Sequence, residues 1–296
     1  MKKKNKAFTL IELLAVIVIL AIILIIAIPK ITNIIEKSRI NTFHRDEDIL
    51  VITCRTYLSN NSDLLPKDIN SIKIISYTDL IKLNYLEEIL DPKSKEPCFD
   101  ISRVLVKKVA DNKYSYIPAL ACPNYIGIVG FNLLTNYVDF EKDLDRDGLA
   151  DGFLFWSSKN DFEPSLLNKT QYIEYEAYKK VALGISEIRP PSIGDKVYVA
   201  ATYKANRTIN LGNAFYLEFA NDGIPIIANN SFQTFSDVFS VVNESHKLFL
   251  LNSYANTGDI IEIKDLILIN LTEIFGSGNE PSKSDIDRMI RQMKIY

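Results

Sequence analysis

Two places in the 296-residue chain set residue types at spacings that could do chemistry. The first is DLDRDGLAD, Asp143 to Asp151. Asp143, Asp145 and Asp147 stand two apart, Gly148 permits a sharp turn, and Asp151 holds the ninth position. Hard oxygen donors converging on one turn suit Ca²⁺, and the Leu149 carbonyl is placed to add a seventh-position ligand. Four like charges this close repel unless a cation sits among them. A full EF-hand needs a bidentate Glu at the twelfth position, where this chain has Leu154. The alternative is a solvated acidic turn. The second place is Glu12, the single charge in the apolar run from Phe8 to Ile28. A carboxylate near hydrocarbon costs on the order of 2.5–3.5 kcal/mol. It is tolerated when paired, and an unpaired one drives association toward a partner.

Other chemistries find little footing. The chain holds two histidines and shows no Ser/His/Asp arrangement. No carboxylate pair stands out beyond the acidic loop, although a glycosidase pair can meet in space from distant positions. GSGNEP, Gly276 to Pro281, is followed by no Gly-Lys-Ser/Thr, so it is not a phosphate loop. No Cys-x-x-Cys spacing supports zinc. Without the four lysines of residues 1–7 the chain has 30 basic against 37 acidic residues, a net −7. Such a body is not built to coat nucleic acid, and no nucleic-acid partner is expected.

The elements that must position these residues begin with the apolar run. Its 21 residues would span about 31 Å as a helix, close to the ~30 Å hydrocarbon thickness. Lys2, Lys3, Lys4 and Lys6 precede it, which keeps that end cytoplasmic and sends the rest outside. A secretory signal peptide would be shorter and end at small residues, whereas this run ends in Ile28-Pro29-Lys30. A plain signal anchor leaves Glu12 unexplained.

The basic leader, Phe8, Glu12 five positions into the run and Pro29 together resemble the class III signal of type IV prepilins and pseudopilins. The resemblance implies a leader at 1–7, cleavage between Ala7 and Phe8, and N-methylation of the new Phe8 amine. It implies that Glu12 meets the Phe8 amine of a neighbouring subunit in a filament. Ala7 departs from the family, which has Gly there; Ala is also small, so cleavage is expected. The implied partners are a prepilin peptidase/methyltransferase, other pilins with their assembly platform, and the membrane. The implied localisation is a single-pass membrane protein, N-terminus cytoplasmic before processing, that becomes part of an extracellular filament.

Past the 8–28 assembly helix, one helix is expected from about Thr9 to Ser59, ending at SNNSD. Its apolar face is read from Ile31, Ile34, Ile35, Leu50, Ile52 and Tyr57, broken by a polar stretch at Asn41 to Asp48. His44, on that stretch, reads as solvent-facing. A head domain over 29–128 is expected to add a short helix at Thr78–Ile89. A hairpin of Arg103–Val109 and Lys113–Leu120 should follow, turning at Ala110-Asp111-Asn112. Cys98 and Cys122 flank that hairpin nearly symmetrically, so a bridge across its mouth is sensible and would contribute about 3 kcal/mol. Three free buried cysteines are the alternative, and Cys54 is left unassigned. The DPKSKEPC…YSYIPALACPNY pattern resembles heads of pseudopilins from Gram-positive bacteria.

From about Ile126 the texture changes to short alternating runs separated by turns. They include Tyr172–Tyr178, Lys196–Tyr203, Ala214–Ala220, Lys247–Tyr254 and Asp259–Leu271. This predicts an all-β sandwich or jelly roll over 131–296, so the whole chain reads as an α+β pilin followed by an all-β domain. Asn132–Trp156 resembles the opening of a carbohydrate-binding-module-like jelly roll. Leu271–Ile290 resembles the closing segment of sandwich domains in phage tail and bacterial surface proteins, and Asp143–Asp151 the short calcium loops of extracellular β-domains. Ser282-x-x-Asp285 reads as the cap of a last helix. Trp156 reads as core, and Tyr172, Tyr175, Tyr178 and Tyr254 as core or surface strand residues, so no sugar site is named.

These readings give three functions in order. The first is a minor type IV pilin or pseudopilin subunit that displays an adhesive β-sandwich, with a cell-surface glycan as candidate ligand. The second is a pseudopilus component of a type II secretion or DNA-uptake machine. The third is a membrane-tethered glycan-acting enzyme, held below the others because no catalytic arrangement is visible.

Overall fold

The computed structural model describes residues 10–69, 71–134, 143, 146–156, 162–185, 188 and 191–294, with the side chains of 23–30, 128 and 292–294 left aside. Ala7 and Phe8 lie outside this set. A single helix, α1, runs Leu10–Asn60, 51 residues, and continues through Pro29. At ~1.5 Å per residue it is about 76 Å long. Among the described residues no helix is long and apolar enough to cross a membrane. The run read as a span from Phe8 to Ile28 falls partly outside them.

The outer half of α1 packs on a three-stranded antiparallel sheet. Its strands are β1 (Ile72–Ser76), β2 (Arg103–Ala110) and β3 (Lys113–Ala119). The buried stripe of α1 is Ile40, Phe43, Glu47, Leu50, Cys54 and Leu58. This corrects the expected face. The i, i+3, i+4 rhythm runs straight through the stretch that looked polar, because Phe43 and Glu47 fall in phase with Leu50. Ile34, Ile35 and Ile52 point to solvent instead. Cys54 sits in this core, where burial pushes its thiol up to about 12. Cys98 and Cys122 are joined, Cα atoms 4.1 Å apart. Asp111 and Asn112 make the tight hairpin turn, Asn112 in the left-handed region.

The short helix α2 spans only Tyr77–Lys82, not Thr78–Ile89. Asn84 takes a positive φ of 57° and stops it. The following loop folds back so that the Ile89 N–H donates to the Tyr77 hydroxyl at 2.7 Å.

After a one-turn helix α3 (Ile128–Phe131), two five-stranded antiparallel sheets form a sandwich. One sheet has the order β10 (Asp222–Ala228), β9 (Ile209–Leu217), β12 (Leu248–Ala255), β7 (Lys179–Ile185), β4 (Leu154–Phe155). The other is β11 (Gln233–Ser240), β8 (Lys196–Ala205), β13 (Ile260–Asn270), β6 (Thr170–Tyr175), β5 (Phe162–Leu167). Inward residues such as Val181, Leu183, Val199, Phe215, Leu251 and Leu268 fill the core between them. Two buried tyrosines are satisfied across it: Tyr203 donates to the Leu250 carbonyl at 2.6 Å and Tyr175 to that of Ser253 at 3.1 Å.

The head and the sandwich share a third core. Ala119, Ala121, Ile126 and Phe131 press on the outer face of β8 and β13 through Tyr198, Ala200, Ile267 and Ile269. Helix α4 (Leu271–Phe275) and helix α5 (Lys283–Lys294) add Leu271, Ile274, Ile286, Met289 and Ile290. At the rim, Arg103 Nη1 pairs with Glu273 Oε1 at 2.8 Å, and Phe99 meets Phe275 edge-on at 5.5 Å. Ser282 caps α5, accepting from the Asp285 N–H at 3.3 Å. The seam is apolar and continuous, so head and sandwich should unfold in one calorimetric transition. Phe131→Ala should cost about 3–5 kcal/mol and split that transition in two; an unsplit transition at the wild-type temperature would show that the seam does not couple them.

Candidate functional site

Among the described residues, the seam covers one outer face of the sandwich and leaves the other open. On the β10-β9-β12-β7-β4 sheet, register decides which side chains face out. Leu154 pairs with Gly184 and Phe155 with Leu183, and the Trp156 N–H donates to the Ala182 carbonyl at 2.9 Å. Phe155 therefore points into the core, beside Phe162, while Leu154 and Trp156 point outward. Phe249 pairs with both Gly184 and Tyr216, which puts it on the same face.

The result is an aromatic cluster. The Trp156 and Phe249 rings lie 4.7 Å apart and those of Tyr216 and Phe249 6.3 Å apart. Trp156 is 39% exposed. Its expected core role is corrected: the edge strand alternates, and position 156 falls in the outward phase. Further along β12, Tyr254 stacks with Tyr178 at 5.7 Å, and both are exposed. Phe249 and Tyr254 are five residues apart, about 16 Å along an extended strand. Asn252 stands between the two clusters, Lys180 pairs with Tyr254 at the far one, and the Tyr216 hydroxyl donates to Asn221 Oδ1 at 2.9 Å. Of the other tyrosines weighed from sequence, Tyr175 is buried in the core and Tyr172 lies on the opposite sheet.

A bulge holds Phe249 in place. The β12–β7 register shifts between Phe249 and Leu251, which drives the β12 backbone toward residue 184. A β-carbon at Gly184 would lie 2.0 Å from the Leu248 carbonyl oxygen, so this position admits only glycine without displacing β12. Flat rings with an amide between them and an ammonium group at one end suit a ligand that has apolar faces and polar edges. An exposed apolar patch with a polar rim is the usual mark of an interaction surface. Phe249 and Tyr216 fall in runs whose alternation marks them as strand, but only pairing reveals their shared face with Trp156.

The acidic loop sits at the sandwich entrance. Asp143 accepts from the Asp147 N–H through Oδ1 and from the Gly148 N–H through Oδ2, each at 3.1 Å. Asp147 Oδ1 accepts from the Leu149 N–H at 2.9 Å. Gly148 has φ +84°, and Leu149 buries its side chain in the core. Gln171, almost fully buried, stitches the loop to β6 through the Gly148 carbonyl and the Ala150 N–H. Asp151 follows directly, half-buried. Asp145 lies outside the described residues. Among those described, no group of three or more His, Cys, Asp or Glu side chains is placed to hold a metal. Glu12 is on α1 and exposed.

Comparison with known proteins adds the following. Residues 2–28 match the family model for the prokaryotic N-terminal methylation motif, so the N-terminus carries that motif. No curated protein matches the chain. Among solved structures, a point mutant of a family 29 carbohydrate-binding module is similar at 15% identity and TM-score 0.31, over 42% of this chain and 84% of that one. A CBM4 structure is similar at 9% identity and TM-score 0.33, over 40% and 94%. The N-terminal cellulose-binding domain of Cellulomonas fimi β-1,4-glucanase C is similar at 9% identity and TM-score 0.33, over 45% and 93%.

Proposed function

We propose that this protein is a minor type IV pilin-like subunit that assembles through its N-terminal helix and presents the sandwich as a glycan-binding head outside the cell. The methylation motif supports the first half. It brings with it processing between Ala7 and Phe8 by a prepilin peptidase/methyltransferase, a membrane-held precursor, and assembly with other pilins. In this reading Glu12 accepts the methylated Phe8 amine of a neighbour, which relieves a charge that is costly near lipid. The observation that carries the second half is the open aromatic face of Trp156, Phe249 and Tyr216. Sugar rings would stack there, with Asn252 at their hydroxyls and Lys180 beside Tyr254 further along the face. In this reading the protein acts by binding: the rings and amides of this face suit stacking and hydrogen bonding. A pseudopilus component of a secretion or DNA-uptake machine would share the motif; the exposed aromatic face puts display first.

The acidic loop is carried in the same proposal as a calcium site, on the spacing of Asp143, Asp145, Asp147 and Asp151 with the Leu149 carbonyl. Bound Ca²⁺ would neutralise the loop and brace the sandwich entrance.

Three measurements test this. Trp156 is the only tryptophan, so its emission reports the face directly. Oligosaccharides selected on a glycan array should shift that emission saturably, and Phe249→Ala should weaken binding about tenfold or more while melting stays within a few degrees. An array without binders, or binding that leaves Trp156 emission unmoved, would contradict the reading. Glu12→Ala should insert normally but enter filaments on the order of tenfold less; wild-type incorporation would remove its assembly role. EDTA should lower the melting temperature by several degrees, and Asp145→Ala should abolish that difference. Equal melting with and without calcium would refute the site.

A further inference from the structure

A cavity of about 500 Å³ opens where α1, β3 and β13 meet, built by elements other than those of the aromatic face. Its size falls in the range of small-ligand pockets, roughly 300–1,000 Å³. Ile117, Val129 and Leu266 supply apolar wall, while His44, Glu47 and Asp265 supply the titratable groups. His44, read from sequence as facing solvent, is 38% exposed in its side chain and places Nδ1 2.9 Å from Glu47 Oε2.

Glu47 is the unusual member. It is 9% exposed and occupies a helix stripe that is otherwise apolar. A glycine makes room for it: a β-carbon at Gly127 would lie 2.2 Å from Glu47 Oε1. Among the described residues, His44 is the only hydrogen-bond partner of the carboxylate. Burial pushes its carboxyl above the usual range, against the pull of His44. A buried carboxylate with one neutral-capable partner is poorly compensated, and a hydrophobic residue would fill the position at less cost. Asp265, at the bulge of β13, adds a second acid to the lining.

We infer that this cavity binds a small organic cation, an ammonium group on an apolar body. The ammonium docks on the Glu47 carboxylate, and the body lies against Ile117, Val129 and Leu266. An anion of the same shape would meet two acids. A neutral one would leave Glu47 uncompensated.

The test uses the full chain in a nonionic detergent with three probes of similar shape: phenethylamine, 2-phenylethanol and 3-phenylpropanoate. The chain has two histidines, so the His44 ring protons can be followed by NMR as a local readout. Phenethylamine should shift them saturably, with about tenfold or better preference over the alcohol, and the acid should leave them unmoved. Glu47→Gln should weaken phenethylamine binding about tenfold, and Val129→Trp, at an exposed position, should fill the cavity and abolish it. Equal responses to amine and alcohol, no response to the amine, or undiminished binding in Val129→Trp would overturn the inference.

Discussion

The arrangement of this molecule rests on one apolar seam. Phe131, Ile126 and two alanines of the head press onto Tyr198, Ile267 and Ile269 of the sandwich, and α4 and α5 close the edges. Burying a sheet face removes it from water and from ligands alike. Because β8 and β13 spend their outer face on the head, the sheet built on β9, β12 and β7 keeps the free one. The same seam creates the cavity beside Glu47, since that cavity has walls from both halves. A flexible tether would have left both sheet faces exposed and no such cavity.

The chain announced its long helix and its sandwich clearly, for physical reasons. An unbroken apolar run with a basic leader has few alternatives, and runs such as Lys196–Tyr203 alternate cleanly. The hairpin was legible because Asp-Asn tolerates the left-handed turn that Asn112 adopts. Elements that went unread lack those signals. Strand β1 keeps only Ile75 buried, with Ile72 and Ile74 facing out. Strands β5 and β10 carry Pro164 and Pro225, residues that argue against strand in any local reading. The inner face of α1 is masked in the sequence because Ile34, Ile35 and Ile52 face solvent while the polar Glu47, in phase with Phe43 and Leu50, is buried.

The aromatic face was harder still. Trp156 follows Phe155 by one residue, and their opposite directions depend on pairing with Leu183 and Ala182, about 27 residues downstream. Phe249 sat inside a strand that was recognised, but its outward direction comes from a bulge that no local pattern signals. The acidic loop shows the opposite case. Its residues were conspicuous in sequence, and in the fold Asp143 and Asp147 hold the turn by accepting backbone N–H groups.

The central claim is that the seam leaves the aromatic face free while the N-terminal helix is engaged in a filament. Hydroxyl-radical footprinting of assembled filaments against the isolated subunit tests it most directly. The account predicts that Trp156, Tyr216, Tyr178 and Tyr254 are oxidised equally fast in both states, while Tyr198, buried at the seam, stays protected in both. Protection of Trp156 and Tyr254 on assembly, or fast oxidation of Tyr198 in the subunit, would contradict it.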